Sequence, residues 1–261
     1  MSDVAALYDT LKQANTTKGQ LFAIHKRLNY QDDSISNLYD YILKNYDIKN
    51  NIEILDCGCG VGFGTLLLAQ KTQNKVTGIS VSSDEIDQAK KNLSQDLSIK
   101  NADFICQSFD DLKPNSYDFI IAIESLKHSP NIEHSLKVVK NALKPGGQLI
   151  IIEDVLHSSA DGFAASRLKQ DWVLKDLYNE TSYMNDDNAI QWAVKDITPM
   201  MYRSSALGLI IKIVAFEIKT FFDSLLRKNT PASAIFRGGF YQDWLYSSGK
   251  LRYKILKGKK L

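Results

Sequence analysis

Three glycines at alternate positions, Gly58, Gly60 and Gly62, lie in the segment EILDCGCGVGFGTLLLA at residues 53–69. Glycine loses more chain entropy on folding than other residues, so this spacing indicates a backbone that needs positive φ or close approach to a ligand. Asp56 precedes the glycines at the end of a predicted strand. A carboxylate at the entrance of such a loop favours a ligand that carries positive charge.

The spacing of the glycines excludes two common nucleotide-binding loops. A dinucleotide-binding loop has the pattern G-x-G-x-x-G, but counting from Gly58 or from Gly60 places Phe63 or Thr65 at the third glycine. A phosphate-binding P-loop ends in Gly-Lys-Ser/Thr, and that tripeptide does not follow these glycines. The loop therefore favours a cationic or zwitterionic ligand over one rich in phosphate.

A second polar group, Glu124 and His128, comes at the end of the apolar run YDFIIAIE at residues 117–124. This run is typical of a central parallel strand that is buried on both faces. Its carboxyl end would open into the ligand crevice of a doubly wound sheet. Histidine has an ordinary pKa near neutrality and can act as a base. A loop histidine that bonds to backbone or faces solvent is the alternative interpretation of His128.

Alternating strand and helix patterns position both groups. Strands are predicted at 52–56, 75–80, 102–106, 117–124 and 148–153, and helices at 3–15, 34–46, 65–71, 83–95 and 132–143. Strands separated by helices predict an α/β fold with a doubly wound, mainly parallel sheet and right-handed crossovers. Strand character at 208–216 and 251–256 raises the predicted number of strands to seven.

The chain is predicted to divide into four segments. These are an N-terminal helical segment at 1–50, a ligand-binding core at 51–156, a helical lid insertion at 157–205, and strands completing the sheet at 206–261. Tyr8 and His25 are weak candidates for contacts from the first segment. The aromatic and methionine content of the insertion suits an apolar or cation-binding pocket, although helices that only complete the core would have similar content.

The overall composition excludes several classes of partner. A net charge of +2 over 261 residues gives no general attraction to nucleic acid, and no basic stripe with aromatic platforms is evident. The apolar run at 207–216 is too short to span a membrane and contains Lys212. Three cysteines and an N-terminus without a signal-peptide pattern predict a cytoplasmic protein. No metal site is predicted, because Cys57 and Cys59 have no second Cys/His cluster nearby.

The chain resembles the class I S-adenosylmethionine-dependent methyltransferases. The resemblance rests on ILDCGCGVG (54–62), VTGISVS (76–82), YDFIIAIE (117–124) and LKPGGQLIIIED (143–154), and it covers about residues 50–155. It implies a Rossmann-like methyltransferase fold and S-adenosylmethionine as the cofactor. It also implies that the loop of Gly58, Gly60 and Gly62 passes beneath the methionyl part, and that Asp56 helps to bind the amino end.

The segment GISVSSDE after the second strand resembles a small-molecule subgroup of this family. That subgroup includes tocopherol- and glycine-betaine-type and cyclopropane-fatty-acid-synthase-like methyltransferases. Most family members end this strand with an acid that binds the ribose, whereas this chain has Ser80. The resemblance therefore implies that Glu85 reaches the ribose, although Ser82-x-x-Glu85 also matches a helix capping box.

The resemblance implies further contacts, which depend on shorter motifs. It places Cys59 and Val81 beside the cofactor, Ser108 and Phe109 at its adenine, and Glu124 near the methionyl group or the acceptor. The family has an acid at the position of Ser108, so the adenine contact departs from the usual pattern.

Three polar residues near these motifs are expected to have no role in the site. Asp110 and Asp111 are predicted to be solvated loop charges. His134 lies off the apolar face of its predicted helix and is expected to be exposed.

The expected function is methyl transfer to a small organic acceptor, such as a natural product, isoprenoid, phenol or amine. The reaction is an in-line displacement, for which alignment of the acceptor is the main requirement, and His128 and Glu124 are the candidate catalytic residues. Two alternatives remain: a lipid-directed, cyclopropane-synthase-like enzyme, and a non-catalytic protein that binds S-adenosylmethionine.

Two sequence features bear on the lipid-directed alternative. The basic segment KLRYKILKGKKL at 250–261 mildly favours it. The lack of a recognisable amphipathic membrane helix counts against it. Integral membrane association is not expected, and the oligomeric state stays open, a homodimer included.

Overall fold

The structure is a computed structural model that describes residues 26, 28, 37–160, 162–184, 188–201, 205–225 and 231–261. The predicted helix at 3–15 and the candidates Tyr8 and His25 lie outside the described residues.

Strands and helices alternate through the first half of the described chain. The strands are β1 (Glu53–Cys57), β2 (Lys75–Ser80), β3 (Ala102–Cys106), β4 (Tyr117–Ile123), β5 (Leu143–Leu156), β6 (Ile190–Asp196) and β7 (Leu251–Lys260). The helices are α1 (Asn37–Asn45), α2 (Phe63–Thr72), α3 (Ser83–Gln95), α4 (Ile132–Ala142), α5 (Phe163–Asp171), α6 (Glu180–Met184), α7 (Ala206–Leu225) and α8 (Pro231–Ser247). Short 3₁₀ turns cover Phe109–Asp111, Leu126–His128 and Thr198–Met200.

All seven strands form one sheet, in the order β3-β2-β1-β4-β5-β7-β6. Strands β1 to β5 pair in parallel, and β7 is antiparallel to both β5 and β6. The prediction of a doubly wound, seven-stranded, mainly parallel sheet is confirmed. The order of the strands reverses between β1 and β4, and ligands of such sheets bind at the carboxyl ends of the strands next to this reversal.

The two faces of the sheet bury separate apolar clusters. On one face Ile54 and Ile121 pack with residues of α1, α2 and α3. On the other face Leu55 and Ile120 pack with residues of α4. Strand β4 is buried from Phe119 to Ile123, as expected for a central parallel strand covered by helices on both sides.

The strand predicted at 208–216 is wrong, because these residues lie in helix α7. A short apolar run fits a strand and a buried helix equally well by periodicity alone. The inner face of α7 packs on α8, where the rings of Phe216 and Phe240 have centroids 5.5 Å apart. The segment 206–261 therefore contributes two helices and one strand.

The helical lid insertion predicted at 157–205 contains α5 and α6 but also the edge strand β6, so the helical prediction is wrong for that part. Ile190, Trp192 and Val194 alternate with Gln191 and Lys195 along this strand, which is the pattern of a strand that the helical interpretation overlooked. The total of seven strands agrees with the prediction, but β6 takes the place of the strand expected at 208–216.

The loops that follow β1 and β4 touch at Gly58. A Cβ added to Gly58 would lie 2.4 Å from the Cβ of Ser125. The Ser125 hydroxyl donates a hydrogen bond of 2.7 Å to the Cys57 carbonyl. Glycine at position 58 therefore allows the two loops at the strand reversal to meet.

We expect Gly58→Ala to destabilise the fold far more than Gly146→Ala. Both glycines have positive φ, +79° and +76°, but a Cβ at Gly146 has no neighbour within 4 Å. Gly146→Ala should lower the free energy of unfolding by about 1–2 kcal/mol, from backbone strain alone. Gly58→Ala should cost about 1–3 kcal/mol more, from overpacking. Urea denaturation of both variants measures the difference, and equal losses would contradict the assigned contact.

Candidate functional site

The loop between β1 and α2 carries the three glycines at positive φ, at +79° for Gly58, +53° for Gly60 and +90° for Gly62. A Cβ on Gly62 would lie 2.7 Å from the Phe104 ring, so Gly62 is required by packing. Among the described residues, a Cβ on Gly60 would have one neighbour within 4 Å, a Glu85 carboxylate oxygen at 3.8 Å. Gly60 therefore faces open space, and a ligand can approach the backbone there.

Asp56 lies beneath this loop and is 1% exposed. Its carboxylate accepts a hydrogen bond of 2.7 Å from the Thr65 hydroxyl at the start of α2. Burial raises the pKa of Asp56 to about 6, although hydrogen bonds from Thr65 and Tyr39 partly oppose this shift. The carboxylate ties β1 to α2, and its help in binding a ligand's amino end stays a prediction.

The end of β2 brings Ser80 and Glu85 together. The Ser80 hydroxyl donates a hydrogen bond of 2.6 Å to the Glu85 carboxylate. The Ser82 side chain accepts from the Glu85 amide at 3.2 Å and caps α3. The Glu85 side chain thus points to Ser80 and to the space above Gly60, while its amide completes the cap. Glu85 can therefore take part in the cap of α3 and face a bound ribose at the same time. The half-buried Val81 lies between Ser80 and Ser82 in the chain.

After the end of β3, the structure differs from the prediction at Asp110. Ser108 is buried, and its hydroxyl accepts a hydrogen bond of 3.1 Å from the Asp110 amide. Phe109 is partly buried and packs on the cluster beneath α4. Asp110 is not a free loop charge, because its carboxylate accepts a hydrogen bond from Ser135. Asp111 is exposed, as predicted.

The end of β4 is held in a strained conformation at Glu124. Its φ of +49° is uncommon for a residue with a side chain. One carboxylate oxygen accepts hydrogen bonds of 2.8 Å from the Tyr253 hydroxyl and of 2.8 Å from the Lys26 amide. Strain of this kind concentrates at functional sites when surrounding contacts maintain it. Glu124 therefore lies next to the glycine loop in a conformation that its contacts maintain, and its role in the site stays a prediction.

A buried ionic cluster, which the sequence did not reveal, surrounds Lys127. The Lys127 ammonium lies 2.6 Å from Asp154, 3.1 Å from Glu124 and 3.9 Å from Glu153. The Lys127 side chain is 4% exposed, and its three partners are 6% exposed or less. We call these four residues the Lys127 cluster. The only signal in the sequence was the pair Glu153–Asp154 at the end of β5, beside the end of β4.

Two tyrosines and a glutamine from the C-terminal region donate hydrogen bonds to Asp154 and Glu124 of the Lys127 cluster. Gln242 donates a hydrogen bond of 2.5 Å to Asp154, and the Tyr246 hydroxyl donates to the other Asp154 oxygen. Burial and the neighbouring carboxylates hold the pKa of Tyr246 and Tyr253 well above the ordinary value. Both phenols therefore stay protonated and act as donors.

The matching family model, described as "Methyltransferase domain", covers residues 48–206. The chain belongs to this methyltransferase family. Sterol 24-C-methyltransferase of Candida albicans is 28% identical over 184 residues, which are 69% of this chain and 43% of that protein. The Kluyveromyces lactis enzyme of the same name is 28% identical over 190 residues, 71% of this chain and 46% of that protein. The chain thus spans less than half the length of these relatives.

Solved structures of other proteins share the fold of this methyltransferase domain along nearly the whole chain. Geranyl diphosphate C-methyltransferase of Streptomyces coelicolor A3(2), bound to Mg²⁺, geranyl diphosphate and S-adenosyl-L-homocysteine, has a TM-score of 0.73 at 13% identity, covering 100% of this chain and 97% of its own. The [4+2]-cyclase SpnF has a TM-score of 0.74 at 20% identity, covering 98% and 94%. At these identities the likeness establishes the fold alone.

His128 of this methyltransferase domain lies at the end of the 3₁₀ turn after β4, where the sequence placed it. Burial and, secondarily, the Lys127 ammonium lower its pKa to about 3. The imidazole is therefore neutral and a weak base at physiological pH. The expectation of an ordinary histidine pKa is wrong, and a catalytic role for His128 stays a prediction. His134 is exposed, as predicted.

Two of the three cysteines of the methyltransferase domain, Cys57 and Cys59, pack in the apolar clusters. Cys57 and Cys59 are buried and Cys106 is exposed, all three as free thiols. Across the described part of the chain, no group of three His, Cys, Asp or Glu side chains could hold a metal ion. Within the same residues, no helix has both the length and the apolar character needed to cross a membrane.

We expect Glu153→Gln to remove part of the pH dependence of stability. Burial raises the pKa of Glu153 from 4.5 to about 8. The folded state therefore binds more protons than the unfolded state between these values, so the free energy of unfolding falls as pH rises through this window. Glutamine has no such proton, so the stability of Glu153→Gln relative to wild type should rise by about 3–5 kcal/mol between pH 5 and 8.

Urea denaturation at pH 5, 6, 7 and 8 tests this expectation. Glu53→Gln is the matched control, because Glu53 forms its ion pair with Lys75 at the exposed start of β1. This control should keep the wild-type slope. A Glu153→Gln curve parallel to wild type would show that Glu153 titrates normally.

Proposed function

We propose that the protein is an S-adenosylmethionine-dependent methyltransferase that acts on a small organic acceptor. The observation that carries this proposal is the glycine loop, which leaves open space at Gly60 where the strand order reverses. Membership of the methyltransferase family supports the same conclusion. When bound, S-adenosylmethionine supplies an electrophilic methyl group on a positively charged sulfur.

The residues around Gly60 fit this cofactor. The Glu85 carboxylate lies beside the open space above Gly60, and a carboxylate can accept hydrogen bonds from both hydroxyls of a ribose. The hydrogen bond from Ser80 fixes the orientation of Glu85. Cys59 and Val81 flank this position, and Ser108 and Phe109 at the end of β3 are proposed to border the adenine. Asp56 supports the loop from below.

The Lys127 cluster is proposed to border the acceptor. It adjoins the glycine loop through the contact between Ser125 and Gly58. Its three carboxylates outnumber its one ammonium, so the cluster favours positive charge nearby even when Glu153 is protonated. Methyl transfer from a sulfonium to a neutral acceptor moves positive charge to that acceptor. Fixed carboxylates and aromatic rings stabilise such charge.

We propose an apolar acceptor that is methylated at carbon, of the isoprenoid or sterol class. Relatives named as sterol and geranyl diphosphate methyltransferases support this choice. In the reaction the bond from sulfur to the methyl carbon breaks, a bond from that carbon to the acceptor carbon forms, and the acceptor then loses a proton. We assign the proton acceptor to the Glu124 carboxylate, because the neutral His128 is too weak a base.

Localisation and partners are part of the proposal. Three free thiols support a reducing compartment such as the cytoplasm. The partner we propose is the small-molecule acceptor, with no nucleic acid. Sedimentation of the full chain tests whether it forms a homodimer.

We expect Gly60→Leu to abolish cofactor binding, because its side chain would fill the space that the proposal gives to the cofactor. Gly239→Leu is the matched control, since Gly239 lies in α8 and a Cβ there has no neighbour within 4 Å. Calorimetric titration with S-adenosylhomocysteine should give wild-type affinity for the control and at least about a hundredfold loss for Gly60→Leu. Gly60→Asn tolerates positive φ and should also lose binding. Retained affinity in both Gly60 variants would contradict the proposed site.

We expect Glu124→Gln to lower kcat by about 10²- to 10⁴-fold, the usual range for loss of a general base. His128→Ala should lower kcat by less than about tenfold, because an imidazole with a pKa of about 3 contributes little as a base. Turnover of labelled S-adenosylmethionine against a panel of isoprenoids, sterols, phenols and amines measures both variants. The KM for the cofactor should change little in either one.

If His128→Ala lowers kcat more than Glu124→Gln does, the proton acceptor is His128. Binding of the cofactor without methylation of any acceptor in the panel would favour a non-catalytic or non-methylating protein. The [4+2]-cyclase SpnF, which shares the fold, is the named protein that supports this second candidate.

A further inference from the structure

The ammonium of Lys127 lies between two carboxylates at neighbouring strands. It donates hydrogen bonds of 3.1 Å to one Glu124 oxygen and of 2.6 Å to one Asp154 oxygen. Glu124 follows β4, and Asp154 lies in β5, which is next to β4 in the sheet. The ring of Trp172 lies 5.0 Å from the same ammonium and helps to enclose it. A charge enclosed by protein acts on its neighbours with little screening by solvent.

The other oxygen of Glu124 is held by donors from distant parts of the chain. The Tyr253 hydroxyl in β7 and the Lys26 amide each donate a hydrogen bond of 2.8 Å to it. Together with the Lys127 ammonium, at least three donors therefore reach this carboxylate. Hydrogen bonds to the charged form of a carboxyl group favour that form. Both oxygens of Glu124 are thus held in a fixed direction.

Burial acts on Glu124 in the opposite direction. Its side chain is 6% exposed, and the negative charge of Asp154 is bonded to the same ammonium. Both conditions favour a protonated carboxyl group. Glu153 illustrates the result, because one of its oxygens lies 3.9 Å from the Lys127 ammonium and burial raises its pKa to about 8. The ionisation of Glu124 therefore depends on its closer contact with Lys127.

The other titratable groups that face these residues keep one charge state through the neutral range. Burial holds three phenols protonated, with pKa values well above the ordinary one: Tyr183, Tyr246 and Tyr253. The Lys26 ammonium is paired with Asp243 at 2.9 Å. His128 has a pKa of about 3 and Glu153 a pKa of about 8, so neither changes its charge between about pH 4 and 7. The titration of Glu124 can therefore be followed in this window.

We propose that Lys127 is a positioning residue, whose ammonium, anchored by Asp154, keeps the Glu124 carboxylate ionised and oriented. The use of that carboxylate as the proton acceptor rests on the proposed function, whereas its ionisation does not. An ionised Glu124 can accept a proton and can stabilise positive charge on a methylated acceptor. A protonated Glu124 can do neither. Lys127 therefore sets the range of pH in which the site acts.

Carboxyl ¹³C NMR of the full chain tests the ionisation of Glu124 without any acceptor. The side-chain carboxyl carbons of glutamate are labelled, and the signal that Glu124→Gln lacks belongs to Glu124. Lys127→Met should raise the midpoint of this signal by about 1–3 pH units, because it removes an ammonium at 3.1 Å. Asp154→Asn should lower the midpoint, because it removes a negative charge from the same ammonium. Opposite shifts report charge, since general damage to the fold would move both midpoints in the same direction.

Three further variants make this test specific. Lys127→Gln can still donate a hydrogen bond and should raise the midpoint as Lys127→Met does, which decides the question if the methionine variant does not fold. Lys127→Arg retains the charge and should restore most of the shift. Lys75→Met is the matched control, because Lys75 forms an exposed pair with Glu53 at 3.3 Å, and it should leave the Glu124 signal unchanged. An unchanged midpoint in both neutral variants of Lys127, or upward shifts in Asp154→Asn as well, overturns the proposal.

Kinetic measurements separate the positioning role of Lys127 from a structural one. With an acceptor identified in the panel, the acid limb of kcat against pH should move with the Glu124 signal in Lys127→Met. Lys127→Arg should bring the limb back, and the KM for the cofactor should change little. A limb that stays in place while the signal moves overturns the positioning role. An unaffected kcat in Glu124→Gln would instead contradict the proton acceptor of the proposed function, and the NMR shifts would stand apart from it.

Discussion

The contact between the loops after β1 and β4 is the constraint on which the candidate site depends. Gly58 and Ser125 approach so closely that no Cβ fits at position 58, and the Ser125 hydroxyl bonds to the Cys57 carbonyl. This contact brings the open backbone at Gly60 and the strained Glu124 to one edge of the sheet. A wider separation of the two strand ends would leave the cofactor and the acceptor without a shared boundary. In-line transfer requires them to meet at near-attack distance.

Burial of the Lys127 cluster at that boundary costs free energy and leaves negative charge beside the glycine loop. Transfer of ions from water to the interior costs several kcal/mol per ion, and the mutual attraction of a buried ion pair repays this cost only when the remaining hydrogen bonds are satisfied. Tyr246 and Gln242 satisfy Asp154, while Tyr253 satisfies Glu124. Glu153 avoids the cost by holding its proton, as its raised pKa indicates. The remaining negative charge is held in place by these hydrogen bonds, and fixed charge of this kind is what the proposed stabilisation of a methylated acceptor would need.

Sequence patterns predicted the part of the structure that local signals determine. The predicted bounds of β2, β3 and α3 agree with the structure to the residue, because the apolar residues of the two strands and the Ser82 cap of α3 are local signals. The prediction failed at the edge strand β6, which was assigned to a helical segment, and at α7, whose apolar run suits either structure. Short motifs singled out Glu124 and Glu85 as candidates, and their roles stay predictions. It could not identify the Lys127 cluster, because Tyr246 reaches Asp154 across 92 residues of sequence, and only the fold brings such residues together.

The finding that 208–216 lies in helix α7 and not in a strand also bears on the class of acceptor. The sequence counted against a lipid-directed enzyme because no amphipathic membrane helix was recognisable. The run at 208–216 fits a strand by its pattern, whereas in the helix the same residues divide into an inner face on α8 and an outward face of exposed Ile and Val. The missing amphipathic helix therefore no longer counts against a lipid-directed enzyme. An apolar acceptor has low solubility in water, so an enzyme for it gains from contact with the phase in which the acceptor is dissolved.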